Sequence, residues 1–203
     1  MKVGKEIIFS EKIASWISHD IRNSLAVIKE NSGLMEDLIM MKDSISPEKF
    51  SKIIKIILNQ VKTAEETTAI LNKFAHLNDH EKEKFDLENC LGELLMLMKK
   101  ILKGKEINIS LESMENQTVE TSKFYFQMIL YFLLNEIVKN SENGSSIKIY
   151  HRQADMIYLY FVSHGASVTD EQAFKSEMAS YLEIMGGNIA KSDGELYFAI
   201  PLN

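Results

Sequence analysis

The chain has 203 residues, 45% hydrophobic and 26% charged, enough apolar mass for real cores and too much for an intrinsically disordered chain. Lys+Arg 23 against Asp+Glu 29 leaves a net charge of -6, and no run of five or more basic residues occurs, so nucleic acid is excluded as an expected partner. The single cysteine, Cys90, rules out an intramolecular disulfide and, inside the apolar stretch Leu87-Glu88-Asn89-Cys90-Leu91, reads as a packed core thiol.

No window reaches about 18 uninterrupted apolar residues, and Met1 to Ser10 lacks a long apolar h-region. The sequence therefore predicts a soluble, cytoplasmic protein with no membrane partner. With no sensor-like segment ahead of the first helix, its input is expected from a soluble partner. The most apolar stretch, Phe124 to Val138, is interrupted by Gln127, Asn135 and Glu136 and suits a buried helix.

From Lys5 to about Lys42 there is no proline and one glycine, Gly33. Apolar residues recur at Ile13, Ile17, Ile21, Leu25, Ile28, Met35 and Leu38, the spacing of one long amphipathic helix. A break follows at Asp43-Ser44-Ile45-Ser46-Pro47. Ser46 is placed to cap a second helix, Pro47 fits its first turn, where a missing N–H costs nothing, and Glu48 complements the helix N-terminus.

That second helix is expected to run to about Leu77, with Ile54, Ile57, Val61, Ala64, Thr68, Leu71 and Phe74 along one stripe. Two long helices joined by a short turn lie antiparallel. A lone hairpin leaves apolar surface uncovered, so a second copy is expected to complete a four-helix bundle, a homodimer.

The charged segment Asn78 to Lys84 separates the hairpin from a region of different texture, placing a domain boundary near residue 82: residues 1–81 and 82–203. In the second region Leu87 to Leu102 reads as a helix, Glu106 to Glu112 as a strand, and Thr121 to Ser141 as a strongly apolar helix. Ser145 to Arg152 and Met156 to Val162 read as strands, and Thr169 to Met185 as a helix ended by Gly186-Gly187. Asn188 to Ile200 reads as a closing hairpin around Asp193-Gly194. The expected fold class is α plus α/β: a helical hairpin, then a small sandwich of mostly antiparallel strands with helices on one face.

On the first helix Lys12, Ser15, His19, Arg22, Asn23 and Ala26 share a side, turned away from the apolar stripe. A neutral imidazole there is an accessible nucleophile. Asp20 is placed to orient the ring or take its proton, Asn23 to hold a phosphate oxygen or a water, and Arg22 to attract a phosphoryl group. The plain alternative for any lone helical histidine is an ordinary exposed polar face.

The run Ser18-His19-Asp20-Ile21-Arg22-Asn23-Ser24-Leu25 resembles the phosphoacceptor box of sensor histidine kinases. The resemblance implies that His19 carries the phosphate, and that Asp20 and Asn23 match positions supporting dephosphorylation of a partner. It extends, more weakly, across the second region. Tyr131 to Ser141 looks like the helix that holds magnesium and phosphates in those kinases, keeping Asn135 and Lys139, whereas the earlier asparagine position is Tyr131.

The family's adenine-reading aspartate-glycine-x-glycine turn has its counterpart in Ser163-His164-Gly165-Ala166-Ser167-Val168, where Ser163 stands for the aspartate and Ser167 for the second glycine. Thr169 to Met185 leaves no residues for a nucleotide lid. What the resemblance implies is a vestigial nucleotide site at Asn135, Lys139 and Gly165, no cofactor and no resident metal. The pattern resembles the dimeric histidine phosphotransferases of bacterial phosphorelays, including the sporulation type. Such a protein passes a phosphoryl group between response-regulator receiver domains, and the receiver supplies magnesium.

Two other readings are an ATP-dependent histidine kinase with a reduced lid and a non-catalytic module that binds or dephosphorylates a receiver. Trp16 and Ile13 are candidate docking contacts, although Ile13 equally suits packing within the bundle. His76 and His80 have metal-chelating i, i+4 spacing but no third ligand nearby. His151 and His164 read as strand and loop polar groups, and most of the eleven methionines as core filler.

Overall fold

The computed structural model describes residues 4–40, 46–77, 81–114, 117–163 and 170–202. The chain divides into two compact units, one ending at His76 and one beginning at Leu77. Among the described residues no helix is long and apolar enough to cross a membrane.

The first unit is a hairpin of α1 (Lys5–Met40) and α2 (Pro47–Ala75). Ser46 caps α2, its hydroxyl accepting from the Lys49 N–H at 3.3 Å, with Pro47 in the first turn. The threonines of α2 are compatible with a helix because Thr63, Thr67 and Thr68 each donate to the carbonyl four residues back, at 2.8 to 3.0 Å. Phe9, Ile13, Ile17 and Ser24 of α1 are buried, and Phe9 meets Phe74 edge to face with ring centroids 5.5 Å apart.

The apolar stripes expected on these helices each split into two seams. On α2 the inward seam includes Ile53, Ile57, Gln60, Ala64, Thr67, Leu71 and Phe74, spaced alternately four and three apart, with Phe50 and Ile70 also part-buried. Ile54 and Val61, expected on the same stripe, are 43% and 38% exposed, and Leu25 of α1 is 56% exposed. One neighbouring helix covers only a seam with a period of 3.5 residues, so the wider apolar face remains partly open.

The second unit contains β1 (Glu83–Asp86), α3 (Leu87–Gly104), β2 (Asn108–Leu111), β3 (Thr118–Thr121), α4 (Lys123–Asn140), β4 (Ser146–Gln153), β5 (Met156–Ser163), α5 (Glu171–Met185), β6 (Asn188–Ser192) and β7 (Glu195–Pro201). The main sheet has the order β2-β4-β5-β7-β6, antiparallel except for the parallel β2–β4 pair. β1 and β3 form a separate antiparallel pair. Neither is legible in the sequence, and Glu83 and Lys84 belong to β1 rather than to the charged separator.

Helix ends are set by local chemistry. Asp86, Ser122 and Asp170 cap α3, α4 and α5 through the N–H of Asn89, Tyr125 and Ala173. Gly186 ends α5 at φ 64°, which a residue with a Cβ adopts only under strain. A Cβ on Gly187 would sit 3.0 Å from the Ala199 carbonyl oxygen, so close packing on β7 needs glycine there. Asp193-Gly194 makes the β6–β7 turn with both φ positive.

One face of the main sheet is core: Ile147, Ile149, Ile157, Leu159, Leu196, Phe198 and Ile200 are buried, and Phe126 of α4 stacks on Phe198 at 5.8 Å. Cys90 of α3 lies in this core, 1% exposed, with the Gln127 amide donating to its Sγ at 3.5 Å. Burial pushes its thiol pKa up to about 12. Lys105, at the end of α3, donates from Nζ to the carbonyls of Val138, Lys139 and Ser141, at 2.9, 2.8 and 3.2 Å, closing the C-terminus of α4 with a positive charge.

Candidate phosphoacceptor site

His19 lies in the middle of α1, its side chain 46% exposed. The neighbouring turns are held by Ile13, Ile17 and Ser24 packing inward, which turns positions 19, 20, 22 and 23 toward solvent. Nδ1 of His19 stands 3.0 Å from the Asn23 amide nitrogen and 3.4 Å from Asp20 Oδ1. The structure thus brings His19, Asp20 and Asn23 together; Arg22 is exposed one turn beyond the histidine.

Two partners on one ring nitrogen have a chemical consequence. When the Asn23 N–H donates to Nδ1, the neutral ring keeps its proton on Nε2. When Nδ1 carries the proton, that proton faces the Asp20 carboxylate and the lone pair is on Nε2. Asp20 therefore favours the tautomer with a nucleophilic Nε2, and the Asn23 amide N–H favours the other.

Trp16, one turn before His19, is half-buried. Ile13 is 0% exposed within this chain, so the expectation that it serves as a docking contact is corrected: it packs inside. Above the open seam, Ile21, Leu25 and Ile28 of α1 and Val61, Ala64 and Thr68 of α2 line an apolar groove between the two helices.

The residues expected at a vestigial nucleotide site are less accommodating. Asn135 is half-buried on α4, and the Lys139 ammonium lies 3.5 Å from Glu136 Oε2. Tyr131, at the first asparagine position, is 3% exposed, and burial raises its pKa. Ser163, at the aspartate position, has a buried hydroxyl with no hydrogen-bond partner among the described residues. A neutral hydroxyl and a core tyrosine thus stand where the resemblance expects a carboxylate and an amide. Gly165, His164 and Ser167 lie outside the described residues, as does His80. Among the described residues no group of three His, Cys, Asp or Glu side chains is placed to hold a metal.

No protein-family model and no curated protein matches this chain. Among solved structures, Acinetobacter baumannii histidine kinase AdeS is similar over 91% of this chain and 98% of its own, at 15% identity and a TM-score of 0.51. The catalytic domain of histidine kinase ThkA is similar over 60% of this chain and 97% of its own, at 17% identity and 0.51. Histidine kinase ThkA in complex with the response regulator protein TrrA is similar over 94% of this chain and 61% of its own, at 19% identity and 0.51. The chain thus has the histidine-kinase fold, a long helical hairpin followed by an α/β domain with a mixed sheet.

Proposed function

We propose that this protein is a dimeric histidine phosphotransferase that relays a phosphoryl group between receiver-domain aspartates through His19. The observation that carries the reading is the exposed imidazole with Asp20 and Asn23 both at its Nδ1. With the proton on Nδ1 and facing Asp20, Nε2 attacks the phosphorus of a receiver's aspartyl phosphate in line. An N–P bond forms, the P–O bond to the aspartate breaks, and the carboxylate leaves with its electron pair. A second receiver aspartate then takes the phosphoryl group by the reverse step. Arg22 is placed to attract the incoming anion, and the receiver contributes magnesium.

Three features support transfer between receivers over ATP-dependent phosphorylation. Tyr131 belongs to the core, Ser163 replaces a carboxylate, and six residues, 164–169, connect the end of β5 to the Asp170 cap of α5. The neighbour ThkA, solved with a response regulator, supports a receiver as the partner. A second copy of the chain is the proposed occupant of the groove lined by Ile21, Leu25, Ile28 and Val61.

The test is incubation of the wild-type protein and His19→Gln with radiolabelled ATP alone, and separately with phosphorylated receivers. Acid-labile label reaching only the wild type, and only from a receiver, is the expected result. Labelling by ATP alone would establish a kinase, and no labelling under either condition would overturn the phosphotransferase and favour a receiver-binding module.

A further inference from the structure

The face of the main sheet opposite the core carries a row of tyrosines. Tyr150 of β4 pairs across the sheet with Tyr160 of β5, which pairs with Tyr197 of β7. The Tyr150 and Tyr160 rings are stacked 4.9 Å apart with 6° between their planes, Tyr160 and Tyr197 are 5.7 Å apart, and Tyr158 meets Tyr197 edge to face at 5.4 Å. Tyr150, Tyr158 and Tyr197 remain half-buried rather than covered.

The charges around this row are unevenly spent. Glu195 accepts a short hydrogen bond from the Tyr150 hydroxyl, and Asp155 accepts from the Tyr158 hydroxyl at 2.8 Å. Lys148 is paired with Glu112 at 3.0 Å. Like Lys148, which lies 5.4 Å from the Tyr150 centroid, Arg152 is exposed and set over the rings, its guanidinium 5.5 and 5.0 Å from the Tyr150 and Tyr160 centroids. It has no carboxylate partner among the described residues.

An exposed arginine held against two rings keeps N–H groups in solvent while losing little further side-chain freedom on binding. Tyrosine and arginine are also the residues most enriched where protein interfaces concentrate their affinity. One guanidinium with no carboxylate partner among the described residues, held against two aromatic rings, selects a carboxylate.

We infer that the tyrosine face of the sheet is a protein-docking surface whose occupant presents an acidic side chain to Arg152 and flanking apolar groups to the half-buried rings of Tyr150 and Tyr197. A single free guanidinium matches one carboxylate but not the successive phosphates of a nucleic-acid strand, which disfavours that occupant despite the aromatic platform. This surface belongs to the second unit and is independent of phosphate chemistry at His19.

The experiment titrates the full-length protein, with tyrosine rings isotopically labelled, with a short soluble peptide carrying a Glu-Phe-Glu core. The controls are its Lys-Phe-Lys counterpart and a single-stranded oligothymidylate. Saturable shifts of the Tyr150, Tyr160 and Tyr197 rings with the acidic peptide alone are expected, weakening with salt. Arg152→Gln is expected to weaken binding about tenfold, the scale of an interface anchor, and Arg152→Glu to switch preference to the basic peptide. Because Arg152 is exposed, both variants are expected to keep the Tyr150–Tyr160 ring contact, checked in the same spectra. Equal binding of the basic peptide, undiminished binding by Arg152→Gln, preference for the oligonucleotide, no saturable shift, or shifts that follow protein concentration alone would each overturn the inference.

Discussion

Nδ1 of His19 stands 3.0 Å from the Asn23 amide nitrogen, one helical turn away, and 3.4 Å from Asp20 Oδ1. The two neighbours favour opposite ring tautomers. Asp20→Asn should therefore lower phosphoryl uptake by about 100-fold, the low end for loss of an acid–base partner. Asn23→Ala should shift the ring toward the Nδ1-protonated form, read from histidine nitrogen shifts in NMR. An unchanged tautomer ratio in Asn23→Ala would remove the role assigned to the amide.

Leu25 is 56% exposed on the open seam, in a mostly apolar groove whose polar lining is Glu65, Thr68 and Asn72. If a second copy covers it, Leu25→Glu buries a charge at the interface and should raise the dimer dissociation constant by about 100-fold, or ~2.7 kcal/mol. Sedimentation equilibrium reads this directly. A wild-type chain that sediments as a monomer would sink the dimeric part of the proposal.

Lys105 closes the C-terminus of α4 by donating to three carbonyls. Lys105→Met retains most of the apolar stem but leaves those oxygens without a charged donor, and is expected to cost about 2 kcal/mol of stability. Urea unfolding checks it. Because α4 also carries Tyr131 and Asn135, early loss of helical signal should accompany the shift.

Thr121 is 2% exposed, and its hydroxyl has no hydrogen-bond partner among the described residues. Thr121→Val keeps the branched shape on β3 and removes a desolvated hydroxyl, so a gain of about 1 kcal/mol is expected. A loss of stability would mean that the hydroxyl is satisfied in solution.

Burial holds the Cys90 thiol protonated up to about 12, whereas an unfolded cysteine ionises near pH 8.5. In that window the folded state binds more protons, so the contribution of Cys90 is complete below about pH 8 and is lost as the pH rises toward its folded value, at up to ~1.4 kcal/mol per unit. Cys90→Ala should flatten the alkaline limb of a stability profile. The native thiol should also resist disulfide reagents until the protein unfolds.

The sequence by itself determined the features that depend on neighbours a few residues away. These are the two long helices, the Ser46-Pro47 start of α2, the Asp193-Gly194 turn, the stop at Gly186 and the placement of His19, Arg22 and Asn23 on one side of α1. Each follows from helical periodicity, capping or turn chemistry, which are local. Tertiary structure alone decided which apolar residues each helix spends within the chain. A 3.5-residue seam against one neighbour buries Ile53 and leaves Ile54 and Leu25 open. It also decided the pairing of β1 with β3, whose four-residue strands are too short and polar to show a period, and the cap that Lys105 places on a helix more than thirty residues away. The row Tyr150-Tyr160-Tyr197 belongs to the same class. Alternation puts each tyrosine on the outer face, but only strand register sets them side by side under Arg152.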